Sequence, residues 1–391
     1  MTVSPRYDVI VAGLGAWGSA ALYHCARRGH RVLGLDRFAP PHDRGSHHGN
    51  GRVIRMASPE APSYTPMMQR SYELWRILAG EWGRPLVETT GAVYVAPPEA
   101  EIVAGAIASY RESDFPHEVL EAPAARRRFP WLAIADGEIA VVEPDAGVLQ
   151  PEHCLRAHLR GAAAARAEIR VNEALADWRA EDGGVEVETS AGRYASDRLV
   201  LALGSWAPDF LKLAVPLAVE RQVVAIYDAG ALPAPAIFVA PAQEAECVYG
   251  LPEAGRTYKV ALHHGGITGH PDTLDATVRE ADLALIARYV HQRLPDLPAQ
   301  PLAAYTCRYT NAPDRQFVLG PHPRHDRVIL AAGCSGRGYK FAAAIGEVLA
   351  QLCEGTPAFD LSACSPARFT AGSTTSTGRE VQGAPVHGAR A

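Results

Sequence analysis

The chain has 391 residues with 48% apolar and 21% charged side chains, room enough for two domains with sizeable cores. A net charge of −5 offers no general attraction to nucleic acid or to an anionic membrane. No apolar run approaches the roughly 20 residues of a membrane span. The first strand follows six residues of N-terminus with no space for a signal peptide, so a cytoplasmic protein is expected.

Tyr7 to Ala12 is an apolar, β-branched run, and Gly13-Leu14-Gly15-Ala16-Trp17-Gly18 follows at once. Ser19 to Arg28 reads as a helix, and Arg31 to Asp36 as a second strand ending in a carboxylate. This order is the dinucleotide-binding βαβ unit. Gly13 allows the tight turn, Gly15 lets a pyrophosphate approach the backbone, and Gly18 lets helix and strand pack closely. Asp36 is placed to accept ribose hydroxyls and disfavours a 2′-phosphate. The fingerprint alone does not separate NAD from FAD.

Tyr64 to Trp82 has helical periodicity, with Met67, Met68, Tyr72, Leu74, Trp75 and Leu78 on one side. Gly91 to Val95 reads as a strand, Pro97 to Arg128 as helices and loops, and Pro151 to Ala167 as an Ala/Arg-rich helix. Ile169–Asn172 and Val185–Thr189 read as strands, with Asp182-Gly183-Gly184 as a turn. Apolar strands ending in glycine recur at 9–13, 199–204 and 328–333, which suits one mostly parallel sheet. A helix follows from about Tyr339 to Cys353. Residues 216–317 alternate in a way that suits an antiparallel sheet, and the Ser/Thr/Gly-rich tail from Ala371 reads as disordered. The expected class is therefore α/β with an α+β second domain. A Rossmann-like nucleotide-binding domain comprises 1–85, 147–215 and 318–368; a substrate domain built on an antiparallel sheet comprises 86–146 and 216–317.

The seven cysteines are scattered and odd in number, so neither a disulfide framework nor a zinc site is expected. The His47-His48 and His263-His264 pairs do not have metal-site spacing, and no metal is expected. Gly45-Ser46-His47-His48-Gly49-Asn50-Gly51-Arg52 is dense in small residues that let backbone approach a flat ring, and Arg52 and Arg55 supply fixed positive charge. The plain alternative is a solvated basic loop.

This run resembles the monomeric sarcosine oxidase family, which includes N-methyltryptophan oxidase, within the D-amino-acid-oxidase-like flavoproteins. Further segments match in order: Glu143-Pro144-Asp145-Ala146-Gly147-Val148-Leu149; Tyr249-Gly250-Leu251-Pro252 with Lys259 and His263; Cys307-Arg308-Tyr309-Thr310; and Gly333 to Phe341. The resemblance spans roughly residues 7 to 365 and implies FAD rather than NAD. It implies that Gly13, Gly15, Ala16, Trp17, Gly18, Asp36, Arg37, Ser46, His47, Arg52, Val171, Gly204, Trp206, Gly336, Gly338 and Lys340 hold the cofactor. Cys307 stands where the family joins the flavin 8α-methyl through a thioether, and Arg308 is a candidate to favour its thiolate; the alternative is a buried apolar cysteine.

The same resemblance makes Lys259 the residue that promotes reaction with oxygen, against the plain alternative of a strand lysine facing solvent. It implies Arg52, His263 and Tyr249 in the catalytic machinery. Arg55 and Lys340 match the pair that grips the substrate carboxylate, while His263, Tyr249 and Tyr309 line the pocket. The helix near Tyr339 is expected to point its N-terminus at the flavin pyrimidine edge. Two departures bear on substrate: Arg337 stands where the family has His, and Cys334 where an aromatic residue is common. Arg337 is a candidate either to contact the flavin carbonyls or to receive a second acidic group on a larger substrate. The implied activity is oxidation of an N-methyl or other secondary amino acid. Hydride passes to flavin N5, the imine hydrolyses, and dioxygen is reduced to hydrogen peroxide, in a cytoplasmic monomer. The alternatives are a cyclic imino acid oxidase (pipecolate- or proline-like) and a flavin dehydrogenase using another acceptor.

Overall fold

The structure is a computed structural model and describes residues 6–58, 62–181, 183–230, 232, 236–239, 247–253 and 256–370. Asp182 of the expected turn and the tail from Ala371 lie outside the described residues.

Strand β1 (Arg6–Ala12) runs into helix α1 (Ala16–Arg27) and back to strand β2 (Val32–Asp36). β1 and β2 are parallel, with Ala12 beside Leu35. On its other side β1 pairs in parallel with Arg193–Leu201, which in turn pairs in parallel with His325–Ala332; Leu201 sits beside both Ala12 and Leu330. The three glycine-ended strands thus lie side by side with their C-terminal ends together, at the edge where open α/β sheets bind ligands. Val9 and Val11 pack into one core cluster with α1 and the helix Ala342–Glu354, while Ile10 and Ala12 pack into another. Both faces are covered, which is why these strands read as continuous apolar runs.

Among the described residues the second sheet has eight strands. Its order is 303–311, 218–228, 257–263, 247–253, 236–239, 92–96, 139–143 and 118–121. Its pairs are antiparallel except that of Ala236–Val239 with Ala92–Ala96, which is parallel. A small sheet of Arg52–Ile54, Gly147–Leu149 and Val87–Thr89 carries the start of the Arg52/Arg55 segment. The expected helices appear at Thr65–Trp82, Glu101–Ser113, Ala122–Arg128 and Pro151–Ala164, and an unforeseen strand appears at Glu118–Glu121.

Two glycines of the first turn are required by close approach. Gly13 has φ +90°, and a Cβ there would lie 2.4 Å from the Ala202 carbonyl oxygen; one on Gly18 would lie 1.7 Å from the Gly13 oxygen. Left-handed backbone costs a side chain roughly 1–2 kcal/mol, and the clash adds about 1–3 kcal/mol. Gly13→Ala is therefore expected to lower unfolding free energy by about 3 kcal/mol. Denaturant titration of parent and variant checks it.

Candidate active site

One cavity of about 890 Å³ opens at the C-terminal edge of the parallel strands and extends to the second sheet. Its first end is built by the βαβ turn. Asp36 is buried and held from both sides: Leu14 N–H donates to Oδ2 at 2.7 Å and Phe38 N–H to Oδ1 at 2.8 Å. Each carboxylate oxygen keeps a lone pair for a further donor. His47 lies over the turn, with Nδ1 3.4 Å from where a Gly15 Cβ would be. His42 N–H donates to its Nε2 at 3.3 Å, which leaves Nδ1 as the protonated nitrogen. Burial, aided by His42, pushes His47 down to about 3, so it stays neutral. At the rim Asp272 ties two expected residues together, accepting from Arg37 at 3.1 Å and from Trp206 Nε1 at 2.8 Å.

The glycine-rich loop is stitched onto the strand Ala303–Asn311. Ser46 Oγ donates to the Arg308 carbonyl at 2.6 Å, and His48 Nε2 lies 3.0 Å from the Thr306 carbonyl. Gly49 and Gly51 permit this docking, since a Cβ would come within 2.6 Å of the Tyr305 hydroxyl and 2.5 Å of Leu251 Cδ1 respectively. Arg52 donates to the carbonyls of Gly51, Ser46 and His48 at 2.8, 3.0 and 2.7 Å, and its Nη2 lies 3.9 Å from Cys307 Sγ. Arg308 aims elsewhere: its guanidinium donates to the Arg44 carbonyl and lies over the Trp206 ring. Arg52 is therefore the cation whose contact with the thiol is direct.

The far end is a cluster of cations and aromatic rings. Lys259 is 2% exposed; its Nζ donates to the Gly51 carbonyl at 2.5 Å and lies 3.6 Å from Glu253 Oε1. Burial and the neighbouring Arg52 pull Lys259 down to about 7. His263 Nδ1 meets the Tyr309 hydroxyl at 3.2 Å, and the Tyr249 ring stands edge-on to His263. Gly336, at φ +74°, lets the next loop come close, because a Cβ would lie 2.6 Å from Tyr309 and 2.8 Å from His263. Arg55 is buried against the stacked rings of Tyr94 and Phe238, 5.5 and 5.0 Å from their centroids, and donates to Tyr94 and to the Ala57 carbonyl. Its segment is anchored by buried Glu143, which accepts from Met56 N–H at 2.6 Å and from the Tyr110 hydroxyl. Lys340 is buried on a 3₁₀ turn, Tyr339–Phe341, that precedes the helix Ala342–Glu354. Ser71 and Trp75 of the helix Thr65–Trp82 pin that turn by donating to the Lys340 carbonyl at 2.8 and 3.1 Å.

The cavity collects Gly13, Gly15, Ala16, Trp17, Asp36, Arg37, Ser46, His47, Arg52, Arg55, Gly204, Trp206, Tyr249, Lys259, His263, Cys307, Tyr309, Gly336, Arg337, Gly338 and Lys340. Gly18 stays behind the turn, in its packing role. Val171 ends the strand Glu168–Val171, is 42% exposed, and is not among the residues that line the cavity. Asn172 turns the chain at φ +58°, and Glu173, Ala174 and Leu175 line the cavity instead. Arg337 donates to the Arg315 carbonyl and lines the cavity beside Asp314, Arg315 and Gln316. Sequence reasoning missed Glu253 and Asp272 and gave Glu143 no role; only Glu253 had a local signal, its diagonal position across the hairpin from Lys259. Among the described residues no cluster of His, Cys, Asp and Glu could hold a metal, and no helix is long and apolar enough to cross a membrane.

These residues fit a dinucleotide joined to a flat ring system. Gly15 lines the cavity with no side chain of its own, Asp36 has capacity for ribose, and buried Gln222 Nε2 and Tyr305 hydroxyl, both at the cavity wall, have no hydrogen-bond partner among the described residues. The sequence matches the family described as FAD dependent oxidoreductase over residues 8–352, and the chain belongs to that family as an FAD-dependent amine oxidoreductase. Within it the chain groups with the monomeric sarcosine oxidases and N-methyltryptophan oxidases. It is 39% identical to monomeric sarcosine oxidase of Streptomyces avermitilis, over 94% of this chain and 99% of the relative. It is 31% identical to N-methyl-L-tryptophan oxidase of Salmonella arizonae, over 93% and 100%. The fold superposes on NikD, an amino acid oxidase of nikkomycin biosynthesis, with TM-score 0.84 at 24% identity, covering 93% of this chain and 98% of that one.

Proposed function

We propose that this protein is a sarcosine-oxidase-like enzyme that oxidises the carbon–nitrogen bond of an N-methyl or other secondary amino acid. The observation that carries this reading is that one cavity holds the dinucleotide turn, the buried cations Arg55 and Lys340, and the buried Lys259. FAD bound here supplies a two-electron acceptor for the substrate and a donor to dioxygen, giving hydrogen peroxide. The rest falls to the chain. Arg55 and Lys340 face one space and are stabilised by an anion between them, which selects a carboxylate. Tyr249, Tyr309 and His263 wall the space around the amine and keep water from it. The Lys259 ammonium stabilises the negative charge that grows on dioxygen in a poorly solvated site. The imine product hydrolyses to an aldehyde and a primary amine when a methyl carbon is oxidised. Arg337 adds a cation that suits a substrate with a second acidic group.

The same reading makes residues 1–85, 147–215 and 318–368 the FAD-binding domain and 86–146 with 216–317 the substrate domain, in a cytoplasmic monomer. It also makes Cys307 the tether of the flavin, with Arg52 Nη2 3.9 Å from its Sγ. Acid-precipitated parent protein is expected to stay yellow, while Cys307→Ser releases its flavin to the supernatant. Release from the parent as well removes the tether. The activity is tested by mixing the oxidised enzyme anaerobically with a panel of N-methyl and cyclic amino acids. Loss of flavin absorbance with an N-methyl member, followed by one peroxide per turnover in air, is the expected result. A panel in which no secondary amino acid reacts, or in which air yields no peroxide, overturns it, and reaction of the cyclic members alone favours the cyclic imino acid oxidase.

A further inference from the structure

The oxygen role proposed for Lys259 requires a cation, yet the surroundings work against one. Nζ is buried, has among the described residues a single carbonyl acceptor in Gly51, and shares its space with the fixed charge of Arg52. Both effects push an amine toward its neutral form. The thiol of Cys307 also faces it, and Tyr249 and Tyr305 complete the polar surroundings of this corner.

The carboxylate facing Lys259 comes from behind the cavity wall. Glu253 ends the strand Cys247–Glu253. Leu251 is the cross-strand partner of Lys259, so Glu253, two residues further, is its diagonal neighbour on the same face of the sheet. The Nζ–Oε1 distance is 3.6 Å and the two side chains are 2% and 1% exposed. Oε1 takes no hydrogen bond among the described residues, so its charge is left for the ammonium. Gly51 shapes the corner: a Cβ there would lie 3.5 Å from Glu253 Cγ and 2.5 Å from Leu251 Cδ1.

We infer that Glu253 is the positioning residue that keeps Lys259 an ammonium, through a buried ion pair on the side of Nζ away from the cavity. The inference rests on the oxygen role proposed above for Lys259. Removing one partner of such a pair strands the other charge, and a buried lysine answers by losing its proton.

The chain has three lysines, Lys212, Lys259 and Lys340, so a lysine-labelled FAD-loaded enzyme gives an NMR spectrum simple enough to titrate. The Lys259 signal is identified by its loss in Lys259→Met. In the parent its midpoint is expected near 7, where burial and Arg52 are opposed by the carboxylate. Glu253→Gln lowers it by at least about one pH unit, a tenfold loss of proton affinity, and Glu253→Asp, which keeps the charge on a shorter arm, falls between. A parent midpoint below about 5, which needs no folded variant to measure, or a Gln variant titrating like the parent, overturns the inference. Reoxidation by dioxygen in the same samples separates the two layers. A lowered midpoint with slower reoxidation above neutral pH supports both. A lowered midpoint with unchanged reoxidation upholds the pairing and removes the oxygen role of Lys259.

Discussion

Replacing Lys259 by methionine is expected to slow reaction of the reduced enzyme with dioxygen by about 10²–10³-fold while anaerobic reduction by substrate changes only a few-fold. Methionine fills the same space with no charge, so the cavity wall is kept. The hydrogen bond to the Gly51 carbonyl is lost, a modest cost beside the charge. Electron transfer to dioxygen creates an anion, and one removed donor at such a site typically costs about 3 kcal/mol of barrier. Substrate oxidation creates no anion at that point and so is spared. The pH dependence follows from the same residue. Lys259 is held down to about 7, so the ammonium, and with it fast reoxidation, is present at lower pH and fades as pH rises through that value. The methionine variant should be slow at every pH with no such step. Rapid mixing that separates the two half-reactions decides it; equal slowing of both halves would show that Lys259 shapes the site without serving oxygen.

What sequence could and could not reveal divides by range. The βαβ unit, the helix Thr65–Trp82 and the glycine-ended strands depend on local periodicity and turn chemistry, and they were legible. Glu118–Glu121 was not, because a four-residue, acid-capped strand at a sheet edge carries no apolar alternation. Val171, expected at the cofactor, ends its strand just short of the residues that line the cavity. The left-handed turn at Asn172 moves the lining to the next residues. The carboxylates Asp272, Glu143 and Glu253 act across distances of 235, 87 and 6 residues, toward Arg37, Met56 and Lys259. The first two need the tertiary fold. The third needs only the register of one hairpin, which the alternation alone does not set.

Arg55→Ala is expected to weaken binding of a carboxylate-bearing substrate analogue by about 10²-fold, near 3 kcal/mol, the usual cost of truncating one side of a buried, hydrogen-bonded charge pair. Part of that figure belongs to the protein itself. Burial drives the Glu143 carboxyl above its ordinary range and Arg55 opposes that drive, so the truncation leaves Glu143 closer to neutral and loosens the Met56–Ala57 backbone it accepts from. The space beside the stacked Tyr94 and Phe238 rings is emptied as well. Arg55→Lys separates these costs: it restores a charge but not the planar fork that fits a carboxylate, and its affinity should lie between parent and alanine. A second analogue carrying a neutral amide in place of the carboxylate completes the cycle. If Arg55 grips the anion, the amide binds the parent far more weakly than the carboxylate, and the two bind the alanine variant almost alike. If both analogues lose the same affinity on truncation, Arg55 supports the pocket wall through Glu143, and Lys340 holds the carboxylate without it.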